Sequence, residues 1–282
     1  MFRLMVENKA GEQFDLTNEK TLSIVSIDGL TPPGASIITN EVAMNDGTRF
    51  NSATVVERNL VLHLKLTGDV EQTRINLYRF FRIKQYCRIY YQNGTRNVYC
   101  EGYVEAIDGD LFTLLQPMDI SIICPSPWFR ELNQIYFDMS QVLNCFEFPF
   151  MIDSDGIPFS ELETELLVPI VNSGDVETGV ILKLYASGEV INPRIYNADT
   201  HEMLGLDFTM IIGDEIQIST MRGDKYVRHI RKGIVNNIFN SLMKKPSWFQ
   251  IPTGVTNFTY DCESGNEFLS IQFIGQNLFE GV

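Results

Sequence analysis

The chain offers few side chains that are suited to acid–base or nucleophilic chemistry. Its 282 residues include three histidines, and neither a GxSxG nor an HExxH motif occurs. A hydrolase needs a nucleophile beside a base, or two carboxylates held at a fixed separation, and abundant acidic residues alone do not provide this. His63 lies on the polar side of an alternating strand pattern and His229 lies among arginines, so we expect both at the surface. These patterns predict a protein that is not an enzyme and uses no cofactor.

Two short acidic stretches invite comparison with metal sites. Residues 153–156, DSDG, begin like a calcium loop, but Ile157 stands where such a loop carries an oxygen ligand, so we interpret the stretch as a turn. His201 has Asp199 and Glu202 as neighbours, a set that would suit a divalent ion but is equally typical of a polar hairpin turn. We predict no metal site.

The cysteine pattern argues against both a disulfide framework and a zinc site. The number is odd, the gaps are wide and no CxxC pair occurs. We expect buried free thiols in apolar strands, which is the common use of isolated cysteines. The five are Cys87, Cys100, Cys124, Cys145 and Cys262.

Charge and hydropathy exclude two further classes of function. The formal net charge of −14 and the pI of about 4.6 oppose binding to a phosphate backbone, so we expect no sequence-specific contact with nucleic acid. The first residues turn polar too quickly for a signal peptide, and no run of eighteen apolar residues occurs. We therefore expect synthesis in a cytoplasm and no membrane insertion.

Strand and turn signals dominate the first half of the chain. Residues 1–14 predict a hairpin around residues 9–12. Residues 35–42 and 49–56 are predicted to pair across the Asn45-Asp46-Gly47 turn and to form a long, arm-like hairpin. Residues 60–66, LVLHLKL, place four leucines on one face of a strand.

One helix is predicted, over residues 70–85. Asp69 is a suitable N-cap, and Gln72 stands three residues later, as in a capping box. The apolar residues that follow recur at helical spacing, which favours a face packed on the core. This face would consist of Ile75, Leu77, Tyr78, Phe80 and Phe81.

The second half predicts an antiparallel two-sheet domain. After Pro125-Ser126-Pro127 the pattern changes to short strands separated by Gly, Asn and Asp turns, so we place a domain boundary near residue 130. The fold class is mainly β, with an α+β domain over 1–130 and a β-sandwich over 131–282. A short helical turn is expected at 236–242. Strands are predicted at 146–152, 163–171, 178–186, 190–197, 203–210, 215–219, 226–231, 248–251, 257–262 and 268–274.

The order of several motifs resembles the distal tail protein (Dit) family of long non-contractile tailed phages. Each motif is common alone, but their order and spacing extend over nearly the whole chain. The first half ends in a Cys-Pro-x-Pro-Trp-Phe exit, and the chain closes on a Phe-Glu-Gly tail. The motifs are ERNLVL at 57–62, TGD at 67–69, YCEGYVE at 99–105, ISIICPSPWF at 120–129, VNSGD at 171–175, GEVINPRIYN at 188–197 and NLFEGV at 277–282.

The resemblance implies a structural protein of the virion tail tip, encoded by a phage or a prophage. Family members form a six-subunit ring that joins the tail tube to the tip or baseplate, around a channel for DNA and the tape-measure protein. The first domain would form the ring and the second would be a galectin-like sandwich outside it. The implied partners are further copies of the chain, the tail tube protein, the tail-associated tip or spike protein and a receptor-binding protein. No carbohydrate-binding module is inserted at this chain length, which departs from some members.

Two sets of residues are candidates for function. The 35–56 hairpin is our candidate for an arm that reaches a neighbouring subunit, and Ile37, Ile38, Asn45 and Arg49 are its expected contact residues. Trp248 is a candidate contact for a glycan, because a flat aromatic face suits a sugar ring. That contact belongs to an alternative hypothesis, a cell-surface carbohydrate-binding module of the adsorption apparatus. A glycan array that tests Trp248→Ala distinguishes the two.

Overall fold

A computed structural model describes residues 2–41, 46–110, 112–113, 116–143, 161–164 and 167–282. The chain divides into two compact units, one made of Met1–Leu132 with Leu278–Val282 and the other of Asn133–Asn277. The mainly β fold class is confirmed. No helix within the described residues is long and apolar enough to cross a bilayer.

Within the described residues, the first unit contains a large antiparallel sheet, a separate two-stranded hairpin and one helix, α1 (Val70–Phe80). The hairpins predicted at 1–14 and 35–56 and the leucine strand at 60–66 are confirmed. The strands are β1 (Arg3–Asn8), β2 (Gln13–Asp15), β3 (Leu22–Asp28), β4 (Ala35–Glu41), β5 (Thr48–Val55), β6 (Arg58–Leu66), β7 (Tyr86–Gln92), β8 (Asn97–Gly109), β9 (Pro117–Cys124), β10 (Phe129–Glu131) and, from the end of the sequence, β25 (Leu278–Phe279).

The large sheet of this unit has the strand order β2-β1-β7-β8-β9-β6-β3, and β10 joins β8 to β25. Its buried face follows from the period-two pattern, since Leu60, Leu62, Leu64 and Leu66 all point into one core. Helix α1 contributes Leu77 to the same core. His63 lies on the opposite, outward face, as the alternation predicts.

The helix is shorter than predicted, ending at Phe80 instead of residue 85. Lys84 has a left-handed backbone (φ 66°), and its N–H donates to the carbonyl of Val104 (2.8 Å), so the chain leaves the helix to join β8. Asp69 caps the helix by accepting from the N–H of Gln72 (3.2 Å). The side chain of Gln72 donates to Asn76 Oδ1 (3.0 Å), so the reciprocal capping box is not formed.

Three of the five cysteines lie in the core of the first unit. Cys87, Cys100 and Cys124 are at most 2% exposed, as expected for thiols in apolar strands. Burial raises the pKa of Cys87 to about 12, so its thiol stays protonated at neutral pH. Cys262 is buried in the second unit, and Cys145 lies outside the described residues.

The second unit contains short strands and two 3₁₀ turns, Phe239–Ser241 and Asn266–Phe268. Its strands are β11 (Ile135–Asp138), β12 (Ser140–Leu143), β13 (Glu161–Thr164), β14 (Val168–Asn172), β15 (Ile181–Ala186), β16 (Val190–Ile191), β17 (Arg194–Asn197), β18 (Met203–Gly205), β19 (Thr209–Met210), β20 (Glu215–Ser219), β21 (Tyr226–Arg231), β22 (Ile234–Asn237), β23 (Gly254–Asp261) and β24 (Leu269–Gly275).

Two antiparallel sheets of this unit share one core. The larger has the order β11-β24-β15-β20-β21-β22 and the smaller the order β14-β23-β17-β18. Leu184 and Phe273 from the first sheet and Ile195 and Phe258 from the second belong to the same buried cluster. This is the packing of a two-sheet sandwich, in which inward residues of both sheets interdigitate.

Some predicted elements of the second half need correction. The strands at 215–219 and 226–231 are confirmed, but 248–251 is not a strand, since only Ile251 makes a bridge, to Thr178. The segment predicted as a helical turn begins as strand β22 and becomes 3₁₀ only at Phe239. The strand predicted at 146–152 and the turn predicted at 153–156 lie outside the described residues.

His229 is buried, contrary to the expectation of a surface residue. It is 5% exposed and packs against the ring of Phe208 (5.0 Å between centroids), because alternation along β21 turns it inward with Val227. Its Nε2 lies 3.2 Å from Oδ1 of the buried Asp214, without hydrogen-bond geometry. Asp214 instead accepts two hydrogen bonds of 2.6 Å from Arg231, which hold the pKa of that carboxyl well below its usual range.

Candidate assembly surface

Strands β4 and β5 form a hairpin, the arm, that belongs to neither large sheet. Among the described strands they pair only with each other, from Ala35 opposite Val55 to Glu41 opposite Thr48. Every residue of β4 is exposed, and so are seven of the eight residues of β5. A two-stranded ribbon without a packed face is marginally stable in water. The arm therefore has the strand pairing of a sheet but little packing within its own subunit.

The pairing register divides the arm into two faces of different character. Directly opposed residues of an antiparallel pair share a face, and a register shift between Ile38 and Thr39 leaves one residue of β5 unpaired. One side, which we call the apolar arm face, consists of Ala35, Ile37, Thr39, Phe50, Ala53 and Val55, and it ends in the polar pair Glu41 and Thr48. The opposite side consists of Ser36, Ile38, Asn40, Arg49, Ser52 and Thr54.

The apolar arm face exposes large hydrophobic side chains. Ile37 is 64% exposed, Phe50 63% and Val55 40%. Full burial of one such side chain contributes about 1.5–3 kcal/mol, so covering the exposed part of Phe50 or Ile37 would contribute about 1–2 kcal/mol each. Contacts of this size stabilise an assembly when they repeat around a closed ring.

The predicted contact residues are distributed unevenly over these faces. Ile37 lies on the apolar arm face, whereas Ile38 and Arg49 lie on the opposite face, and Asn45 lies outside the described residues. Phe50 and Val55 are not among the contact residues predicted from the sequence. Alternation alone would place Phe50 and Val55 on opposite faces, because it does not account for the unpaired residue between Phe50 and Ser52.

The edges of the large sheet in the same unit are poorly suited to pairing with another chain. At one edge, β2 has only three residues. At the other, β3 has a register shift between Ile24 and Ser26 that leaves Val25 out of the ladder and 67% exposed. Short and bulged edge strands are common protections against edge-to-edge association. Among the described strands, the outer edges of the arm are also open, on β4 with seven residues and on β5 with eight residues and a bulge of its own.

His63 links three strands on the outward face of this sheet. Its Nδ1 lies 2.7 Å from Oδ1 of Asp119 on β9, and its Nε2 lies 3.2 Å from Oδ2 of Asp28 on β3. The hydrogen bond to Asp119, helped by Asp28, raises the pKa of His63 above its ordinary value. When it is protonated, the imidazole forms ion pairs with both carboxylates.

His201 occupies a tight turn, where its backbone has φ 59°. The side chain of Asn197 accepts from the N–H groups of Asp199 (2.9 Å) and Thr200 (3.1 Å), as in an Asx turn. The carboxylate of Asp199 is engaged by the backbone and side chain of Asn257. No group of three His, Cys, Asp or Glu side chains within the described residues is arranged to hold a metal ion.

Trp248 lies against the core of the second unit and is partly buried. The ring of Phe239 stacks on its indole, with centroids 5.6 Å apart and planes 22° apart. The ammonium of Lys225 lies over the same indole, 5.0 Å from its centroid. The indole is thus already engaged by side chains of its own unit, and the glycan contact stays a prediction.

No protein-family model and no curated protein matches this sequence. Solved structures do match. The crystal structure of the Dit protein of phage SPP1, described as a paradigm of the hub adsorption apparatus of phages that infect Gram-positive bacteria, is 13% identical, with 99% of both chains covered and a TM-score of 0.70. A chain of the activated phage P2 baseplate with Ca is 12% identical over 100% of both chains (TM-score 0.56). A chain of the same baseplate with Sr is 11% identical, with 98% of both chains covered and a TM-score of 0.51.

These likenesses extend over the whole chain, so both units and their order along the chain match a tail hub protein in fold. The order of motifs in the sequence predicted this resemblance, and the structural likeness confirms it at the level of the fold. At such low identity the likeness establishes the fold, and function needs separate support.

Proposed function

We propose that this protein is a non-enzymatic distal tail protein of a phage tail tip. In this proposal, six copies form a ring that joins the tail tube to the tip or baseplate, with a central channel through which DNA passes. Its partners are further copies of itself, the tail tube protein, the tail-associated tip or spike protein and a receptor-binding protein. The first unit forms the ring.

The observation that carries the proposal is the arm. It combines an exposed apolar face with two strands whose outer edges are unpaired among the described strands. A closed ring of identical copies removes exposed edges by covering each arm with the next subunit. The fold of the SPP1 hub protein and of a phage P2 baseplate chain supports this reading. The net charge of −14 fits a channel wall that does not retain DNA.

Electron microscopy of negatively stained protein tests the ring. The full chain is imaged at high concentration, alone and mixed with the tail tube and tip proteins of the same phage. We expect annular particles with six-fold symmetry. Solitary particles under all of these conditions would contradict the proposal.

Deletion of residues 40–48 tests the arm separately. The described residues of this segment, 40–41 and 46–48, are exposed, so the circular dichroism spectrum and melting temperature should be preserved. Ring formation should be abolished. If light scattering still finds hexamers of the deletion variant, the arm is not the element that joins neighbouring copies.

A further inference from the structure

The segments that flank the arm meet at one buried arginine. Arg58 begins β6 three residues after β5 ends, and it is only 2% exposed. Its Nη1 donates to the carbonyls of Gly29 and Thr31 (2.9 Å to the latter), which precede β4. One guanidinium therefore connects the chain entering the arm with the chain leaving it.

The same guanidinium reaches two more distant segments. Its Nε donates to the carbonyl of Pro127 (2.7 Å), between β9 and β10, and its Nη2 donates to the carbonyl of Glu280 (2.5 Å). The group also lies over the ring of Phe129, 4.3 Å from its centroid. Four backbone carbonyls from three separate loops thus share one side chain.

Residues 278–282 contact the loop before the arm independently of Arg58. The N–H of Val282 donates to the carbonyl of Leu30 (3.1 Å), and a Cβ on Gly281 would lie 3.0 Å from Pro32 Cδ. Phe279 pairs with Phe129 in the β10–β25 ladder and is 5% exposed. The segment is therefore held at both of its ends.

The loop also lies directly on β6. Gly29 has a φ of 86°, and a Cβ there would lie 2.1 Å from the carbonyl oxygen of Asn59, so only glycine fits. This close approach holds the start of the loop in one place. The arm begins six residues later, so its direction depends on what holds residues 29–34.

Burying a guanidinium to satisfy loop carbonyls costs desolvation free energy. Burial disfavours its charge and lowers the pKa of Arg58, and the described acceptors are neutral carbonyls that compensate less than a carboxylate would. The rigid fork of an arginine does, however, hold several acceptors at fixed directions, which a flexible point charge such as lysine cannot do.

We infer that Arg58 and residues 278–282 form a clasp that sets the direction in which the arm leaves its subunit, and so presents it to the neighbouring copy. The inference rests on the proposed function for its consequence in assembly. Arg58 is a positioning residue in this role, and it makes no contact with the partner itself. The family-like exit at residues 120–129 and the tail at 277–282 meet at this clasp.

The direction of the arm is measured on the monomer by electron–electron spin distances. Spin labels are introduced through non-canonical amino acids at Asn40 on the arm and Lys9 in the β1–β2 turn, both exposed. The variants are Arg58→Met, Arg58→Lys and a deletion of residues 278–282. The control is Arg3→Met, which removes an exposed ion pair with Asp15 in the same unit.

We expect one narrow distance distribution for the wild type and for the control. The distribution should broaden at least twofold in Arg58→Met and in the deletion, with Arg58→Lys between them and the wild type. A broad wild-type distribution, or unchanged widths in the variants, would overturn the clasp. If Arg58→Met loses its near-ultraviolet circular dichroism signal, and with it its tertiary packing, the distance distribution of the deletion variant decides whether the clasp holds the arm.

Ring formation is then measured by sedimentation velocity on the same proteins. We expect the clasp variants to need at least tenfold more protein to assemble, and the control to match the wild type. Normal assembly by clasp variants whose arm has lost its fixed direction would overturn the positioning role. A wild type that never assembles would instead contradict the proposed function, while the spin distances still decide whether the clasp exists.

Discussion

The apolar arm face leads to a sharp test with two substitutions on one hairpin. Phe50→Ser removes the largest side chain of that face, whereas Ile38→Ser removes an aliphatic side chain from the opposite face of the same ribbon. Both residues are exposed, at 63% and 48%, so either change should alter the unfolding free energy of the monomer by less than about 0.5 kcal/mol. The two variants therefore differ mainly in which face they change.

The expected effect on assembly follows from the exposed fraction of Phe50. Covering that part contributes about 1–2 kcal/mol per contact between neighbouring subunits. Loss of the phenyl side chain should therefore weaken each contact roughly 5- to 30-fold. Over the six contacts of a hexamer the loss sums to about 6–12 kcal/mol. Phe50→Ser should therefore raise the protein concentration at which rings form by at least about fivefold.

Sedimentation velocity over a concentration series measures this shift, and thermal unfolding of the monomer provides the control for folding. We expect Ile38→Ser to assemble at nearly the wild-type concentration. Equal shifts for the two variants would show that the register does not define the contact face. Wild-type assembly of Phe50→Ser would show that the exposed apolar face is not what the neighbouring copy covers.

Three further predictions concern stability. Hydrogen bonds to Asp119 and Asp28 raise the pKa of His63 above 6.5 in the folded state, so its stabilisation is complete below about pH 6.5 and is lost as the pH rises through the folded-state pKa. His63→Gln should flatten this fall of the unfolding free energy, measured by urea denaturation from about pH 6 upward, and an unchanged pH dependence would contradict it. Asp214→Asn weakens two hydrogen bonds from the partly exposed Arg231 and should lower the unfolding free energy by about 2–3 kcal/mol. A loss below about 0.5 kcal/mol would contradict the stabilising role of the buried carboxylate. Gly102→Ala places a Cβ 2.8 Å from Cys124 Sγ and 2.7 Å from a backbone oxygen, so its melting temperature should fall with a cost of about 1–3 kcal/mol, while a neutral result would show that β8 and β9 separate easily.

Local patterns predicted the elements whose partners are close in sequence. The pairing of β4 with β5, the leucine face of β6 and the Asp69 cap are each specified by neighbouring residues, so turn residues and alternation were sufficient to predict them. His229 is instructive because alternation with Val227 predicts burial, yet the adjacent arginines suggested a surface position. Period-two alternation was the better guide there.

Local sequence patterns could not predict which residues form the contact face of the arm. One unpaired residue in β5 reverses the parity of Phe50 relative to Ala53, and no local signal marks where that residue falls. The helix end is similar, since residues 81–85 continue an apolar pattern but leave the helix because Lys84 bonds to Val104. The first outcome depends on the pairing register of two strands, and the second depends on a contact with β8, twenty residues further along the chain.

The sequence by itself determined that this protein is mainly β, acidic and built from an α+β half followed by a strand-rich half, because composition, alternation and turn residues act locally. Only the tertiary structure decided that Arg58 is buried among the carbonyls of Gly29, Pro127 and Glu280. A charged residue at the start of an alternating strand predicts exposure. Its burial becomes favourable only when loops far apart in sequence converge and present their carbonyls to it, and no pattern within one segment encodes that convergence.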